Sequence, residues 1–222
     1  MKKSKTETAE TRRRIVKAAA AEFRRNGIHA TGLCELMAAA GLTHGGFYRH
    51  FDSKDQLIAE ACAAGMEAGM SKAACPGLGK SGLKEIAESY LSTAHRDNPS
   101  EGCLLAGLGS ELARSGVKTR ATATAGILKL ANVIAGDTRR TKPRTVPKTA
   151  KARALVALSA MIGAITLSRI VTDPELSAEI LHETKKYLTA PEGMMAASAD
   201  PIAETPRRPV HGPRQRPVQP EA

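Results

Sequence analysis

Residues 33–52 read LCELMAAAGLTHGGFYRHFD, and this run decides the fold. Leu33, Leu36 and Met37 recur at helical spacing, so a short helix is expected from about Gly32 to Ala40, closed by Gly41. Thr43 then stands as an N-cap for another short helix, about His44 to His50. Two short helices joined by a tight glycine turn make a helix-turn-helix, whose second helix enters the major groove of DNA. The amino terminus of that helix carries unpaired N–H groups and a positive dipole end, both suited to phosphate. Gly45 and Gly46 each cost about 1 kcal/mol relative to alanine inside a helix, and close approach of the backbone to DNA would compensate.

Helical punctuation continues on either side. Ile15, Ala19 and Phe23, with Val16 and Ala20 beside them, predict a preceding helix that stops at Asn26-Gly27. Ser53-Lys54-Asp55-Gln56 has the S-x-x-Q form of a capping box and opens a long helix through about Ala74. Phe23, Phe47, Tyr48 and Phe51 give this amino-terminal part its own small core. Further helices are expected at about Leu83–His95, Cys103–Arg114, Val117–Arg139, Ala150–Val171 and Glu175–Leu188, separated by proline, glycine or basic stretches. Residues 191–222 are rich in proline and poor in large aliphatics, which predicts a disordered tail that the fold does not need.

Composition agrees with an all-helical chain. Of 222 residues only 3% are aromatic and none is Trp, which disfavours a sandwich or barrel of strands. Lys+Arg 33 against Asp+Glu 22 leaves a net charge of +11, which favours a polyanionic partner. Cys34, Cys62, Cys75 and Cys103 form no zinc spacing, so reduced thiols and no metal are expected. Lys2, Lys3 and Lys5 lead into polar Thr6–Glu10 rather than an apolar stretch, and the apolar run Ala154–Leu167 falls short of the roughly 20 residues of a spanning helix. A cytoplasmic protein without a membrane partner is therefore expected. The run Ala74–Ser81 ends like a phosphate-binding loop, but an alanine replaces its first glycine and no strand precedes it, so no nucleotide cofactor is assigned. No nucleophile, base and acid occur in a recognisable local pattern, and no catalysis is assigned. The basic stretch Arg139, Arg140, Lys142, Arg144 and Lys148 reads as a solvated loop.

The run AGLTHGGFYRHFDSKDQL (residues 40–57), preceded by a helix and by His29-Ala30-Thr31-Gly32, resembles the DNA-binding domain of the tetracycline-repressor (TetR) family over about residues 10–60. The resemblance implies an all-α homodimer with an amino-terminal helix-turn-helix domain and a carboxy-terminal helical domain for ligand binding and dimerisation. Divided on that pattern, residues 1–55 bind DNA, 56–190 bind effector and dimerise, and 191–222 are tail. By the same resemblance Tyr48, His50 and Lys54 meet phosphates, Thr43, His44 and Phe47 face the groove, and Thr31, Gly45 and Gly46 complete the DNA-contact set. GCLLAGLGSELAR at 102–114 is more weakly similar to the LmrA/YxaF-like subgroup. Two positions depart from the family pattern. Gly32 stands for a capping Ser or Thr, with Glu35 still at the reciprocal position, and Met37 replaces an alanine, which should loosen or shift the packing between helices.

Helix faces suggest where an effector and a second subunit would sit. Met66, Met70, Leu91, Leu104, Leu108, Ile127, Leu130 and Ile134 are the expected apolar lining of a pocket, with Tyr90, His95 and Cys103 as its polar contacts. The Ala150–Val171 helix is apolar nearly all round. Leu155, Leu158, Ile162 and Ile165 form one stripe that the protomer's core can cover, which leaves Ala157, Met161, Ala164 and Ser168 for a partner helix, joined by Leu176, Ile180 and Tyr187. The function expected is a ligand-responsive regulator, a repressor that binds a palindromic operator as a homodimer. The alternatives are a non-specific architectural DNA binder and a helical enzyme.

Overall fold

The computed structural model describes residues 5–73, 83–136 and 147–190. The run Ala74–Ser81, the basic stretch from Arg139 to Arg144 and the residues from Pro191 lie outside them. Among the described residues there are nine α-helices, two short 3-10 helices and no strand.

Helix α1 (Lys5–Asn26) buries Ile15, Ala19, Ala20 and Phe23, the stripe its periodicity predicts. It ends where Gly27 turns to φ 89°, in the left-handed region that glycine adopts without steric cost. Helix α2 (Leu33–Ala39) starts at Gly32, whose N–H donates to the Glu35 carboxylate at 3.0 Å, so the reciprocal half of the capping box survives without a capping hydroxyl. Gly41, at φ 66°, makes the turn into the second short helix. That helix, His44–Arg49, is a 3-10 helix. Its first bond runs from Gly46 N–H to Thr43 C=O at 3.0 Å, a tight turn consistent with two poor α-helix formers in sequence.

Helix α3 (Lys54–Ala73) begins with the expected cap, Gln56 N–H donating to Ser53 Oγ at 3.1 Å. Helices α4 (Leu83–Tyr90), α5 (Thr93–Asp97), α6 (Leu104–Ala113), α7 (Val117–Ile134), α8 (Lys148–Ile170) and α9 (Pro174–Thr189) follow. The single helix expected over Leu83–His95 is thus two. Ser92 is extended, and its hydroxyl accepts from His95 N–H at 3.2 Å, so it caps a new helix instead of continuing the old one. Helix α7 also stops at Ile134, short of the predicted Arg139.

The helices enclose two apolar cores. The first joins α1, α2, the 3-10 helix and α3 to Leu104, Leu105, Leu108 and Leu112 of α6 and to Leu130 of α7. The helix-turn-helix unit therefore shares its core with the helices behind it. Helices α3 and α7 touch where Met66 lies against Gly126, with no room there for a side chain. Arg12 braces α1 to α3. Its guanidinium sits 4.2 Å from the Phe51 ring centroid and donates to Glu60.

The second core joins Ile86, Ala87 and Leu91 to Ala157, Met161, Ala164 and Ile165 of α8 and to Leu181 and Leu188 of α9. This corrects the expected interface. Ala157, Met161, Ala164 and Ser168 are all buried inside the protomer, where small side chains let α9 approach closely and Ser177 Oγ donates to Ser168 C=O at 2.6 Å. Val156, Leu167 and Ile170 of α8 and Leu176 and Tyr187 of α9 are exposed instead, with Gly163 half-buried among the first three, while Ile180 packs partly against the second core.

Candidate nucleic-acid interface and ligand cavity

The turn before α2 is held from both sides. Glu111 of α6 accepts from Ile28 N–H at 2.8 Å and His29 N–H at 3.1 Å. Lys54 of α3 donates to Ile28 C=O at 2.9 Å and Thr31 C=O at 2.7 Å. A Cβ on Gly27 would lie 2.8 Å from the Glu111 carboxylate, so glycine serves both the turn and the latch. Thr31, expected at the DNA, is wholly buried, and its hydroxyl donates to Gly27 C=O at 2.5 Å; its side chain ties the turn and faces no groove. The half-buried Lys54 ammonium thus has an internal task for two of its three N–H donors.

On this support the 3-10 helix presents an exposed Thr43, His44 and Gly45. Tyr48 is 66% exposed, with its ring edge-on to Phe47 at 5.1 Å and to His44 at 6.5 Å. A Cβ on Gly45 would meet nothing within 4 Å, so internal packing does not explain that glycine. Nor does packing require Gly46, where a Cβ would meet Met37 Cε at 3.6 Å, an ordinary van der Waals distance. Met37, the residue that departs from the family pattern, is wholly buried. His50 is half-buried at the C-cap, its N–H donating to Phe47 C=O at 2.9 Å. Phe47 does not face the groove. It is 0% exposed and stacks on Phe51 at 5.5 Å, so it anchors the short helix to the core.

Glu111 carries no local sequence signal, because its partners lie 82 and 83 residues away. A carboxylate accepting two backbone N–H groups is worth more than a neutral pair, so Glu111→Ala should destabilise the fold by about 2 kcal/mol. Urea denaturation measures this, and Glu111→Gln should recover part of the loss. An alanine variant of parental stability would remove the latch from the argument.

A cavity of about 510 Å³ opens between α1, α3, α4, α7 and α8. Tyr90, His95, Cys103, Leu130 and Ile134 line it as expected. Met66, Met70, Leu91, Leu104, Leu108 and Ile127 do not. They pack in or against the apolar cores, while the small Gly65, Ala68 and Gly69 leave the open space. His95 stacks edge-on to Tyr90 at 4.4 Å. Its Nδ1 meets Tyr90 C=O at 2.7 Å and its Nε2 accepts from Cys103 N–H at 2.8 Å, so the Nδ1–H tautomer fits both partners. Gly102 is needed there, since a Cβ would lie 2.9 Å from the imidazole. The Tyr90 hydroxyl is buried with no hydrogen-bond partner, and burial, then the nearby Cys103 thiol, push its pKa up.

Arg24 was missed as a cavity residue, and Arg169 as a residue that supports the cavity from behind. Arg24, at the end of α1, resembled an ordinary basic helix terminus. Its Nε and Nη2 both donate to Ser100 C=O, and burial lowers its pKa against the opposing effects of Glu101 and Cys103. Arg169 of α8 donates to Arg96 C=O at 3.0 Å and His95 C=O at 2.8 Å, fixing α5 over the cavity. Among the described residues no three His, Cys, Asp or Glu side chains are grouped to hold a metal.

Residues 15–61 match the family described as bacterial regulatory proteins, tetR family, through its amino-terminal domain. The probable acrEF/envCD operon repressor of Escherichia coli (strain K12) is 37% identical over 59 residues, 27% of this chain and 27% of that protein. The HTH-type transcriptional regulator AcrR of Shigella flexneri is 41% identical over 59 residues, again 27% of each chain. The matched stretch is thus about a quarter of the length of these curated relatives. A TetR-family transcriptional regulator from Cytophaga hutchinsonii has a similar fold, with a TM-score of 0.63 over 83% of this chain and 96% of its own at 21% identity.

Proposed function

We propose that this chain, whose residues 15–61 match the tetR family of bacterial regulatory proteins, is a ligand-responsive transcriptional repressor. One observation carries the reading: Thr43, His44, Gly45 and Tyr48 stand exposed on a short helix whose underside, Phe47, is locked into the core. Base readout is light, because the glycines offer no side chains, and rests on Thr43 and His44. Tyr48, His50 and the remaining Lys54 donor position the helix on phosphates, which orients without specifying. The net charge of +11 favours the encounter with DNA.

In this proposal the protein is a cytoplasmic homodimer without catalytic activity. Its contact is the exposed face of α8 and α9, Val156, Gly163, Leu167 and Ile170 with Leu176 and Tyr187. Its two reading helices occupy successive major grooves of a palindromic operator, about 34–36 Å apart. An effector in the cavity shifts that separation, and coupling of about 1–3 kcal/mol suffices for control. Arg24 and Glu111 give the route, since both connect the cavity-side helices to α1 or to the turn after it.

Nuclease footprinting on DNA around the protein's own gene tests the reading. Protection of a short palindrome supports it, whereas uniform coating marks an architectural binder and overturns it. His44→Ala should relax selectivity at one or two operator positions by about 1–3 kcal/mol each. Affinities across a set of single-base operator variants measure this, and an unchanged profile would remove His44 from base readout.

A further inference from the structure

We propose that the cavity takes an amphipathic organic monoanion, its carboxylate held between Arg24 and Tyr90 and its apolar body lying along Leu130, Ile134, Leu158 and Met161. This rests on the effector-binding reading above and adds the chemical class of the ligand.

The polar groups of the lining divide by position. Glu85 and Glu101 are exposed, at the lip. Deeper in the lining stand Arg24 and Tyr90, whose N–H and O–H groups can donate to a ligand. Arg24 spends Nε and Nη2 on one carbonyl, Ser100, while Nη1 lies by Gly65, 3.3 Å from where a Cβ would stand. A guanidinium carries five N–H groups, so most of its donor capacity remains. The Tyr90 hydroxyl is buried and unpaired. A buried hydroxyl without a partner is costly, and a ligand acceptor removes that cost. His95 has both ring nitrogens engaged with backbone groups. Arg169, holding the His95 carbonyl, adds a second half-buried positive charge on the Tyr90 side.

Arg24 is the guanidinium of the lining, its charge lies deeper than the exposed carboxylates of Glu85 and Glu101, and it favours an anion inside. Arg–carboxylate pairing is strong when it is desolvated and forked. The remaining walls are aliphatic, and a volume of about 510 Å³ lies within the range of small-molecule sites. Arg24 also belongs to α1, so a ligand acid competes with Ser100 C=O for the guanidinium that ties α1 to the cavity wall.

Calorimetric titration of the full chain with decanoate, decanol and decylamine tests the class with one chain length and three head groups. Decanoate should bind at least ten-fold more tightly than decanol, and decylamine should not bind. Arg24→Gln should reduce decanoate to the level of decanol while leaving decanol affinity unchanged, and Tyr90→Phe should weaken decanoate several-fold. Equal affinities for acid and alcohol, preference for the amine, or no binding of any of the three overturns the proposal. The ranking in the parent chain decides this even if a variant fails to fold. Operator footprinting is read separately. A normal footprint without anion preference removes only the ligand class, and no footprint with the preference intact removes only the regulator reading.

Discussion

Replacing Gly163 with arginine is expected to give folded monomers that bind operator weakly. Gly163 lies among Val156, Leu167 and Ile170, apolar side chains that α8 leaves exposed. A Cβ at Gly163 meets nothing within 4 Å, so the protomer has room for the new side chain. Across a dimer contact the same arginine buries an unpaired charge, a disruption of about 3–5 kcal/mol. A monomer engages one half-site and loses the gain from linking two, about 10²–10⁴-fold in avidity. Sedimentation and operator titration on the same sample measure both effects. Ala164→Arg, one residue on, should behave differently. Ala164 is buried in its own protomer's second core, so that variant should unfold rather than dissociate. A Gly163→Arg dimer with full operator affinity would place the interface elsewhere.

The contrast between Gly163 and Ala164 marks where sequence reading reached its limit. Periodicity shows that α8 is apolar on two faces, but it cannot assign one face to the core, because both stripes satisfy the same spacing. The assignment depends on where α9 lies, and α9 is fixed by contacts such as Ser177 to Ser168 that no local pattern contains. Local devices were legible: the Phe23 stripe, the stops at Gly27 and Gly41, the Gly32–Glu35 pairing and the Ser53 cap all act within a few residues. The cavity was legible in part. Tyr90, His95 and Cys103 stood out as polar groups on apolar segments, but Met66, Leu104 and Leu108 were misplaced because helical spacing does not say whether an inward aliphatic packs in the core or borders the void. Arg24 and Glu111 act across more than seventy residues, beyond the reach of any capping or spacing rule.

Phe47→Ala is expected to cost about 3–5 kcal/mol of stability, the usual range for truncating a buried aromatic. A signal for this was present in the sequence: Phe47 and Phe51 are four residues apart, and Phe51 N–H donates to Phe47 C=O at 3.1 Å, so both rings fall on one side. Phe47 stacks on Phe51, which in turn lies under the Arg12 guanidinium, so removing the ring loosens the 3-10 helix from α1 and α3 together. Loss of that support should weaken binding to every DNA sequence by a similar factor, since Thr43, His44 and Tyr48 lose their common platform. A phenylalanine touching a thymine methyl would behave in the opposite way, relaxing one operator position and leaving stability unchanged. Urea denaturation together with affinities for operator variants separates the two. Phe47→Leu keeps most of the buried volume and should retain most of both stability and affinity. Unchanged stability in Phe47→Ala with selectivity lost at a single base pair would return Phe47 to the groove and leave the reading helix without its anchor.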